Sequence, residues 1–400
     1  MFFFVPLVLW ALGIQSATSD KRALAPFPRS FMSWDVMDET AEYVNDHVPF
    51  RGLAVRWRAE TTQALFGEAP AGQGGNLGEA AAREPQTEKE REFLQLPPAA
   101  PEPAVAGTSD VIVGTEGWLF ATSEFANECS PQQPRKTVVR NLRRLERILA
   151  RSGRTLVIAL APDKSTAEPE HLPDSNPYAT CSAQAKEETW SLLTNAAIPG
   201  VIDTKGLVAT REEREQREYW LRKDTHWNGL ARAAVAREIA RVLDPGLLEQ
   251  TKVTETVAEY TGDLTELLGA PSTDQTLEAS IERIGVSVEV AREAITTGVR
   301  ATITRATSTS APVFEDGVIL VGDSFAQSII PHLAPFMQQM TWIHTGDVRA
   351  APATTAERIA TASAVVVVWS ERYFASTTYG TLWSTPFLDQ LAATLPALQP

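Results

Sequence analysis

Short apolar segments that alternate with helical patterns constrain the fold of this chain more than any other feature. From residue 155 onward, such segments lie at 155–161 (TLVIALA), 201–203, 318–322, 341–344 and 364–369. Uninterrupted apolar runs of this length are typical of parallel strands that are buried on both faces. Their alternation with helices predicts an α/β fold, with a parallel sheet covered by helices on both faces. Functional side chains are expected in the loops at the carboxyl ends of the strands.

The charge and the cysteine content exclude several classes of protein. The chain has 400 residues, of which 50 are acidic and 36 are basic, and its formal net charge is −14. A chain this acidic, without a basic stripe, is not expected to bind nucleic acid. Its two cysteines, Cys129 and Cys181, are too few for a zinc ribbon or a disulfide-dense scaffold, and no metal site is expected.

The N-terminal segment indicates export. Residues Phe2 to Ile14 are apolar apart from Pro6 and Gly13, and no charged side chain precedes Asp20. An apolar run of about 13 residues is short for a membrane span but fits the hydrophobic region of a signal peptide. We therefore expect residues 1–19 to be a signal peptide or a membrane anchor, and the rest of the chain to be extracytoplasmic. The alternative is a buried N-terminal helix or strand.

Composition divides the remaining sequence into segments. Residues 20–66 are predicted to form a helical N-terminal extension, and residues 67–109, which are rich in proline and glycine, a flexible insertion. Residues 110–400 are predicted to form the main α/β domain. Within that domain, the threonine-rich stretch around 246–312 is interpreted as an insertion with small strands.

Export has a consequence for the two cysteines. In an oxidising compartment, Cys129 and Cys181 are expected to form a disulfide, which would stabilise the fold by about 3–4 kcal/mol through the entropy of the unfolded chain. The alternative is two unpaired buried thiols. Neither cysteine has an adjacent histidine or lysine that would favour a thiolate, so a nucleophilic cysteine is not expected.

A serine follows one of the predicted strands directly. The motif Gly322-Asp323-Ser324-Phe325 comes after the apolar run VILV. A serine at a sharp turn from strand to helix presents its hydroxyl at the edge of the sheet, and the N–H groups of the helix N-terminus can stabilise an oxyanion there. The alternative is an ordinary helix N-cap, a position where serine is favoured.

A histidine with a nearby carboxylate precedes another predicted helix. The motif DTHWN (224–228) leads into the helical pattern that begins at Gly229, with Asn228 as the expected N-cap. Serine is a weak nucleophile and needs a base, and a histidine base needs an acceptor on its other ring nitrogen to fix the tautomer. Asp224 can supply that acceptor to His226. The alternatives are a capping or packing histidine beside Trp227 and a metal ligand, although no further ligand cluster is visible in the sequence.

Together the two motifs resemble the SGNH (GDSL-type) hydrolase superfamily. In its usual members the serine comes first, whereas here the Asp/His pair precedes the serine, an order similar to the permuted SGNH-like domain of the alginate O-acetylation proteins and their DHHW relatives. Six segments occur in the order of that family: VNDHVPFRG (44–52), GTEGWLF (114–120), APDKSTAEPEHLP (161–173), DTHWN (224–228), YTGDLTELLG (260–269) and VGDSF (321–325). Six matches in order carry the resemblance, which covers residues from about 40 to 370.

The resemblance implies a permuted, flavodoxin-like sheet and a serine O-acetyltransferase outside the cytoplasm. It would acetylate sugars of an exported or cell-surface polysaccharide by a ping-pong mechanism. The resemblance implies that Ser324 is the nucleophile, His226 the general base and Asp224 the residue that orients His226. The acetyl donor is expected to be supplied by a membrane-bound O-acyltransferase, so no cofactor is expected, and the sequence contains no coenzyme A motif.

Three further residues are candidates for contacts with the oxyanion or the substrate. Asp323 belongs to the serine motif, and Lys164 and Arg372 each lie just after an apolar strand, with surface ion pairing as the alternative for these two. Two other functions stay open at this point. One is an extracytoplasmic carbohydrate acetyl-esterase, which would use the same residues with water as the acceptor. The other is a non-catalytic polysaccharide-assembly protein that retains the fold.

Overall fold

The computed structural model of this chain describes residues 110–296 and 299–395. The predicted signal peptide or anchor (1–19), the helical extension (20–66) and the whole of the flexible insertion (67–109) lie outside the described residues and stay predictions. Within the two described ranges, no helix is long and apolar enough to cross a membrane.

A seven-stranded sheet forms the centre of the fold. The strands in chain order are β1 (Val111–Val113), β2 (Leu119–Ala121), β3 (Thr155–Ala161), β4 (Val201–Ile202), β5 (Thr251–Thr261), β6 (Thr273–Arg283), β7 (Val286–Thr296), β8 (Val299–Ser308), β9 (Val318–Gly322), β10 (Gln339–His344) and β11 (Ala364–Ser370). The order in the main sheet is β4-β3-β11-β9-β10-β8-β7. The first five of these are parallel to one another and correspond to the five predicted apolar segments. The parallel core of the sheet is confirmed, and the antiparallel strands β8 and β7 extend it into a mixed sheet.

Helices cover both faces of the sheet, as predicted. In chain order they are α1 (Ser123–Cys129), α2 (Arg135–Arg151), α3 (Lys164–Ala167), α4 (Ala179–Thr194), α5 (Thr204–Glu215), α6 (Gly229–Leu243), α7 (Asp263–Leu267), α8 (Ser324–Leu333), α9 (Thr345–Ala350), α10 (Pro352–Ala360) and α11 (Thr385–Thr394). Helices α6 and α8 pack on one face, and α2, α4, α10 and α11 pack on the other. Strand β3 shows why: Val157 and Ala159 point into the first of these cores, and Ile158 and Leu160 into the second. Because side chains alternate along a strand, a strand that is apolar throughout must be covered on both faces.

The threonine-rich stretch around 246–312 contains four strands of 10 or 11 residues. Strands β5 and β6 pair along 11 residues each, and β7 and β8 form a hairpin that joins the edge of the main sheet through β10. β-branched threonine and valine favour these extended strands. Ala301 and Ile303 of β8 are buried, so the hairpin contributes to the core. The pairing of β8 with β10 joins segments that lie far apart in the chain, and the local sequence pattern carries no signal for it.

The two cysteines form the expected disulfide. Cys129 ends helix α1 and Cys181 lies near the start of helix α4, with the two Cα atoms 5.5 Å apart. The bond joins the segment that follows strand β2 to the helix that follows the segment 161–173. It therefore closes a covalent loop of the chain that includes helix α2, strand β3 and helix α3.

Candidate active site

Ser324 is the first residue of helix α8 and follows strand β9 through a sharp turn. Gly322 is required at this turn, because a Cβ there would lie 1.8 Å from the carbonyl oxygen of Val368 in β11. The side chain of Asp323 caps the helix by accepting the N–H of Phe325 at 2.9 Å. The serine hydroxyl is thereby presented at the carboxyl edge of the sheet, beside a helix N-terminus.

His226 lies in the loop that leads into helix α6. An isolated bridge between Trp220 and Trp227 closes this loop. The predicted N-cap, Asn228, accepts the N–H of Leu230 at 2.9 Å and so fixes the start of the helix. The local sequence thus sets the backbone on both sides of the histidine and holds its ring in one place.

The three side chains predicted from the two motifs lie together. Nε2 of His226 is 2.8 Å from Oγ of Ser324, and Nδ1 is 2.7 Å from Oδ1 of Asp224. Asp224 also accepts the backbone N–H of His226 at 3.0 Å and, through its other oxygen, that of Asp263 at 3.1 Å. A carboxylate at one ring nitrogen and a hydroxyl at the other is the arrangement of a nucleophile, a base and an orienting carboxylate.

The electrostatics of the site favour an ionised Asp224 and a basic His226. Burial opposes ionisation of Asp224, but the hydrogen bond and the charge of His226 outweigh it and lower the pKa of Asp224 to about 2. Burial also opposes protonation of His226, whereas its hydrogen bond to Asp224 and the charges of Asp224 and Asp263 raise the pKa of His226 above its ordinary value. An imidazole with a raised pKa is a stronger acceptor for a serine proton.

A second carboxylate, Asp263, lies beside these three residues and was not predicted. Its oxygens accept the backbone N–H of Thr225 at 2.8 Å and the hydroxyl of Thr225 at 2.6 Å. Its Oδ2 is 3.8 Å from Nδ1 of His226. The residue belongs to the segment 260–269, which helped to carry the family resemblance. A single aspartate in that segment gives no sign of a contact with a loop 38 residues earlier.

Lys164 lies behind the histidine loop and does not line the cleft. Its side chain is fully buried, and burial lowers the pKa of Lys164 to about 8. The ammonium donates hydrogen bonds to the backbone carbonyl oxygens of Leu221 (2.9 Å), Arg222 (3.1 Å) and Asp224 (2.6 Å). These contacts connect Lys164 with the backbone that carries Asp224.

Asp323 and Arg372 both line the cleft beside Ser324. In addition to its capping bond, the carboxylate of Asp323 accepts the N–H and the hydroxyl of Ser370 at 2.8 and 2.7 Å, so it acts as an acceptor. Arg372 donates from Nε to Asp163 at 2.7 Å, and its Nη2 is 3.5 Å from the carbonyl oxygen of Thr225. Of the three further candidates, Arg372 therefore combines a position in the cleft with a donor group.

The cleft that contains Ser324 and His226 has a volume of about 190 Å³. The rings of His344, Tyr373 and Tyr379 also line it. Tyr373 and Tyr379 are stacked with their centroids 3.8 Å apart, and His344 meets Tyr379 edge to face at 6.2 Å. Partly exposed aromatic rings next to polar groups are suited to a ligand that has both apolar faces and hydroxyls.

Asp224, His226 and Asp263 also have the spacing of a metal-binding cluster, with one ligand atom from each within 4.8 Å of the others. Both ring nitrogens of His226 are already engaged, one by Asp224 and the other by Ser324. A metal ion on this histidine would displace one of these contacts. The donor set therefore fits a proton relay better than a metal centre.

A second cluster of this kind consists of Glu168, Glu170 and His171. Burial and the neighbouring carboxylate of Glu212 raise the pKa of Glu168 to about 9. A metal ion at this cluster would therefore have to displace a proton from that carboxyl. We assign a metal to neither cluster.

Comparison with known proteins relates most of this domain to a family. Residues 111–348 match the family described as "SGNH hydrolase-like domain, acetyltransferase AlgX". The chain is 32% identical over 168 residues to the probable alginate O-acetylase AlgJ of Pseudomonas aeruginosa, and 27% identical over 168 residues to that of Pseudomonas syringae pv. tomato. Each alignment covers 40% of this chain and 42% of the relative. The chain thus matches less than half the length of these curated relatives.

Among solved structures, the O-acetyltransferase domain of Pseudomonas putida AlgJ aligns with a TM-score of 0.47 and 18% identity, covering 71% of this chain and 98% of that domain. Bacillus cereus PatB1 aligns with a TM-score of 0.46 and 12% identity, covering 67% of this chain and 98% of PatB1. The family match includes both the histidine loop and the serine turn. Because that match spans more than half of the sequence, the chain belongs to the family of the SGNH hydrolase-like domain of the acetyltransferase AlgX.

Proposed function

We propose that this chain is a serine-dependent O-acetyltransferase that acetylates sugars of an exported or cell-surface polysaccharide. The observation that carries the proposal is the 2.8 Å contact between Oγ of Ser324 and Nε2 of His226, with Asp224 on the opposite ring nitrogen. Membership of an acetyltransferase family supports acetyl as the transferred group. The relatives named as probable alginate O-acetylases support a polysaccharide as the acceptor.

In the first half-reaction, Oγ of Ser324 attacks the carbonyl carbon of a donor acetyl ester or thioester. Nε2 of His226 takes the hydroxyl proton, and Asp224 stabilises the imidazolium that forms. The tetrahedral intermediate then collapses, the bond to the leaving group breaks, and the imidazolium returns its proton to that leaving group. The products are acetyl-serine and the free donor alcohol or thiol.

In the second half-reaction, a sugar hydroxyl attacks the acetyl-serine. Nε2 of His226 accepts the proton of the sugar hydroxyl and gives it back to Oγ of Ser324 as the acetyl–serine bond breaks. The serine and the histidine return to their starting states, and the sugar carries the acetyl ester. Water in place of the sugar would give acetyl-ester hydrolysis with the same residues.

The oxyanion of each tetrahedral intermediate needs hydrogen-bond donors. Ser324 opens helix α8, where the first N–H groups have no partner within the helix and the helix dipole favours negative charge. The N–H of Ser324 is therefore the first donor we assign, and the guanidinium of Arg372, which lines the same cleft, is the second.

The acceptor site lies in the cleft beside the serine. The rings of Tyr373 and Tyr379 give an apolar surface for the face of a pyranose. Arg372 lines the same cleft, but its guanidinium is buried and paired with Asp163 at 2.7 Å, so it offers hydrogen-bond donors rather than an unpaired positive charge. The acetyl donor is assigned to a membrane-bound O-acyltransferase partner, and the disulfide agrees with a location outside the cytoplasm.

A two-acceptor assay tests this function. Purified protein and Ser324→Ala are each given para-nitrophenyl acetate, with and without a polysaccharide such as alginate or a neutral glucan. Transfer predicts acetylated polysaccharide with the wild type and none with Ser324→Ala. Hydrolysis without any acetylated polysaccharide would assign an esterase instead, and equal turnover by both proteins would reject the serine assignment.

A further inference from the structure

The hydroxyl of Thr225 lies between a carboxylate and the base. Its Oγ1 is 2.6 Å from Oδ2 of Asp263 and 3.2 Å from Nδ1 of His226. A hydroxyl has one proton to donate, and an ionised carboxylate can only accept. Thr225 donates this proton to Oδ2 of Asp263 in the short contact, so its hydroxyl oxygen can only accept a hydrogen bond from Nδ1 of His226.

Nδ1 of His226 therefore faces two acceptors. One is Oδ1 of Asp224 at 2.7 Å, and the other is the hydroxyl oxygen of Thr225. A ring nitrogen that faces only acceptors holds the proton of the neutral imidazole, which leaves Nε2 with its lone pair. That lone pair points to the hydroxyl of Ser324 at 2.8 Å.

Asp263 also holds the two neighbours of the histidine in place. Its backbone N–H donates to Oδ2 of Asp224 at 3.1 Å, and its Oδ1 accepts the N–H of Thr225 at 2.8 Å. The preceding residue, Gly262, allows this approach, because a Cβ there would lie 1.9 Å from the carbonyl oxygen of Lys223. The segment that contains Asp263 is thus hydrogen-bonded to the histidine loop through both its backbone and its side chain.

We propose that Asp263 is a positioning residue of this site, a second carboxylate that fixes the Thr225 hydroxyl as an acceptor and keeps the proton of His226 on Nδ1. The part of this inference that concerns catalysis rests on the proposed function, because only there does the lone pair of Nε2 take the serine proton. The tautomer itself is a property of the resting protein and can be measured without turnover.

The charge of Asp263 adds a second effect. The charged groups that face the imidazole are Asp224 and Asp263, which favour the imidazolium, and Arg372, which opposes it. With Oδ2 only 3.8 Å from Nδ1, loss of the negative charge of Asp263 lowers the pKa of His226. A role limited to holding the loop would change the rate without moving this pKa.

Asp263→Asn removes both effects at once. Its amide oxygen can still accept the N–H of Thr225, but its NH₂ group then faces the hydroxyl oxygen of Thr225 and turns the hydroxyl proton toward Nδ1. We expect kcat for para-nitrophenyl acetate to fall by about 10- to 100-fold, the range typical of losing an outer-shell partner of a functional histidine. We also expect the acid limb of the kcat/KM profile to move to lower pH.

Thr225→Val and Thr225→Ser form a matched pair. The valine variant removes the acceptor at Nδ1 but keeps the carboxylate of Asp263, so it should lower kcat while moving the acid limb less than Asp263→Asn does. The serine variant keeps the hydroxyl and should stay close to wild type. This pair carries the test on its own if Asp263→Asn does not fold.

The tautomer and pKa of His226 are read directly from ¹⁵N and ¹³C NMR titrations of the full chain. The wild type should show the proton on Nδ1, and Asp263→Asn should show a mixed tautomer and a lower pKa. An unchanged tautomer and pKa in Asp263→Asn, or equal activity of Thr225→Val and Thr225→Ser, would overturn the proposal. If Ser324→Ala keeps wild-type turnover, the proposed function fails, but the NMR result still decides the role of Asp263.

Discussion

The ammonium of Lys164 lies 2.6 Å from the backbone carbonyl oxygen of Asp224, the residue whose side chain holds Nδ1 of His226. The same ammonium donates to the carbonyl oxygens of Leu221 and Arg222. One buried cation therefore fixes the backbone on the N-terminal side of the histidine. Strand β3 leads directly to Lys164, so the geometry of the site is tied to the rigid centre of the sheet.

Removal of this cation should weaken both the fold and the site. Lys164→Met removes the hydrogen bonds of the ammonium to three backbone carbonyl oxygens and one of the three positive charges that act on the buried carboxylate of Glu124. Breaking a buried charge interaction in this way typically costs about 3–5 kcal/mol of unfolding free energy. Urea denaturation followed by tryptophan fluorescence measures it. The control Lys252→Met, at a side chain that is 73% exposed, should change stability by less than about 0.5 kcal/mol. Equal stability of the two variants would contradict the anchoring role of Lys164.

The pH dependence of activity should report His226. The imidazole must be neutral to accept a proton, and its pKa is raised above its ordinary value of 6.5, so kcat/KM should increase with pH through an apparent pKa above 6.5 and then level off. Asp224→Asn removes the charge and the acceptor, which should lower kcat by about 10⁴-fold. The matched control Asp389→Asn alters an exposed carboxylate on helix α11 and should leave the profile unchanged. A wild-type profile that is flat between about pH 5 and 8 would exclude a histidine base.

The disulfide should contribute measurably to stability. Closing the loop between Cys129 and Cys181 should stabilise the folded state by about 3–4 kcal/mol on the chain-entropy account. Thermal unfolding with and without a reductant measures this, and the wild type should unfold at a lower temperature when reduced. The double variant Cys129→Ser/Cys181→Ser should match the reduced wild type and should not respond to the reductant. A wild type that is indifferent to reductant would contradict the prediction.

The aromatic wall of the cleft should affect the acceptor more than the donor. Tyr379→Ala removes a ring that stacks on Tyr373 and lines the cleft. Loss of about 1 kcal/mol of aromatic contact corresponds to a rise of about fivefold in KM for the polysaccharide. Hydrolysis of para-nitrophenyl acetate, which does not need that surface, should stay near wild type. Tyr379→Phe keeps the ring and serves as the control. An equal loss in both reactions would argue for a structural role of Tyr379.

Local patterns were sufficient to predict the parallel core and the three residues that meet at its edge. The composition of each apolar run indicates that the run is buried. The serine motif lies where a strand ends, and the histidine motif lies just before a helix begins. The motif order then supplied the family and, through it, the pairing of Ser324 with His226. The structure agrees with that proximity, and the catalytic roles stay predictions until activity is measured.

Features that depend on contacts between distant segments could not be predicted in this way. Asp263 reaches Thr225 from another loop, and the ammonium of Lys164 binds carbonyl groups, which are present at every residue and leave no mark in the sequence. The antiparallel edge strands are a third case, because their threonine-rich pattern is typical of any exposed strand. In each case the missing information is a tertiary contact, which side-chain chemistry alone does not specify.

In the proposed mechanism, Ser324 carries the acetyl group between donor and acceptor. Rapid acid quenching of the enzyme with para-nitrophenyl acetate, followed by mass spectrometry of its peptides, detects this acetyl-serine. We expect one acetyl group on the peptide that contains Ser324, its disappearance when a polysaccharide acceptor is added, and no acetylation of that peptide in Ser324→Ala. An acetyl group on another residue, or transfer that proceeds without any acetyl-enzyme, would rule out Ser324 as the acetyl carrier.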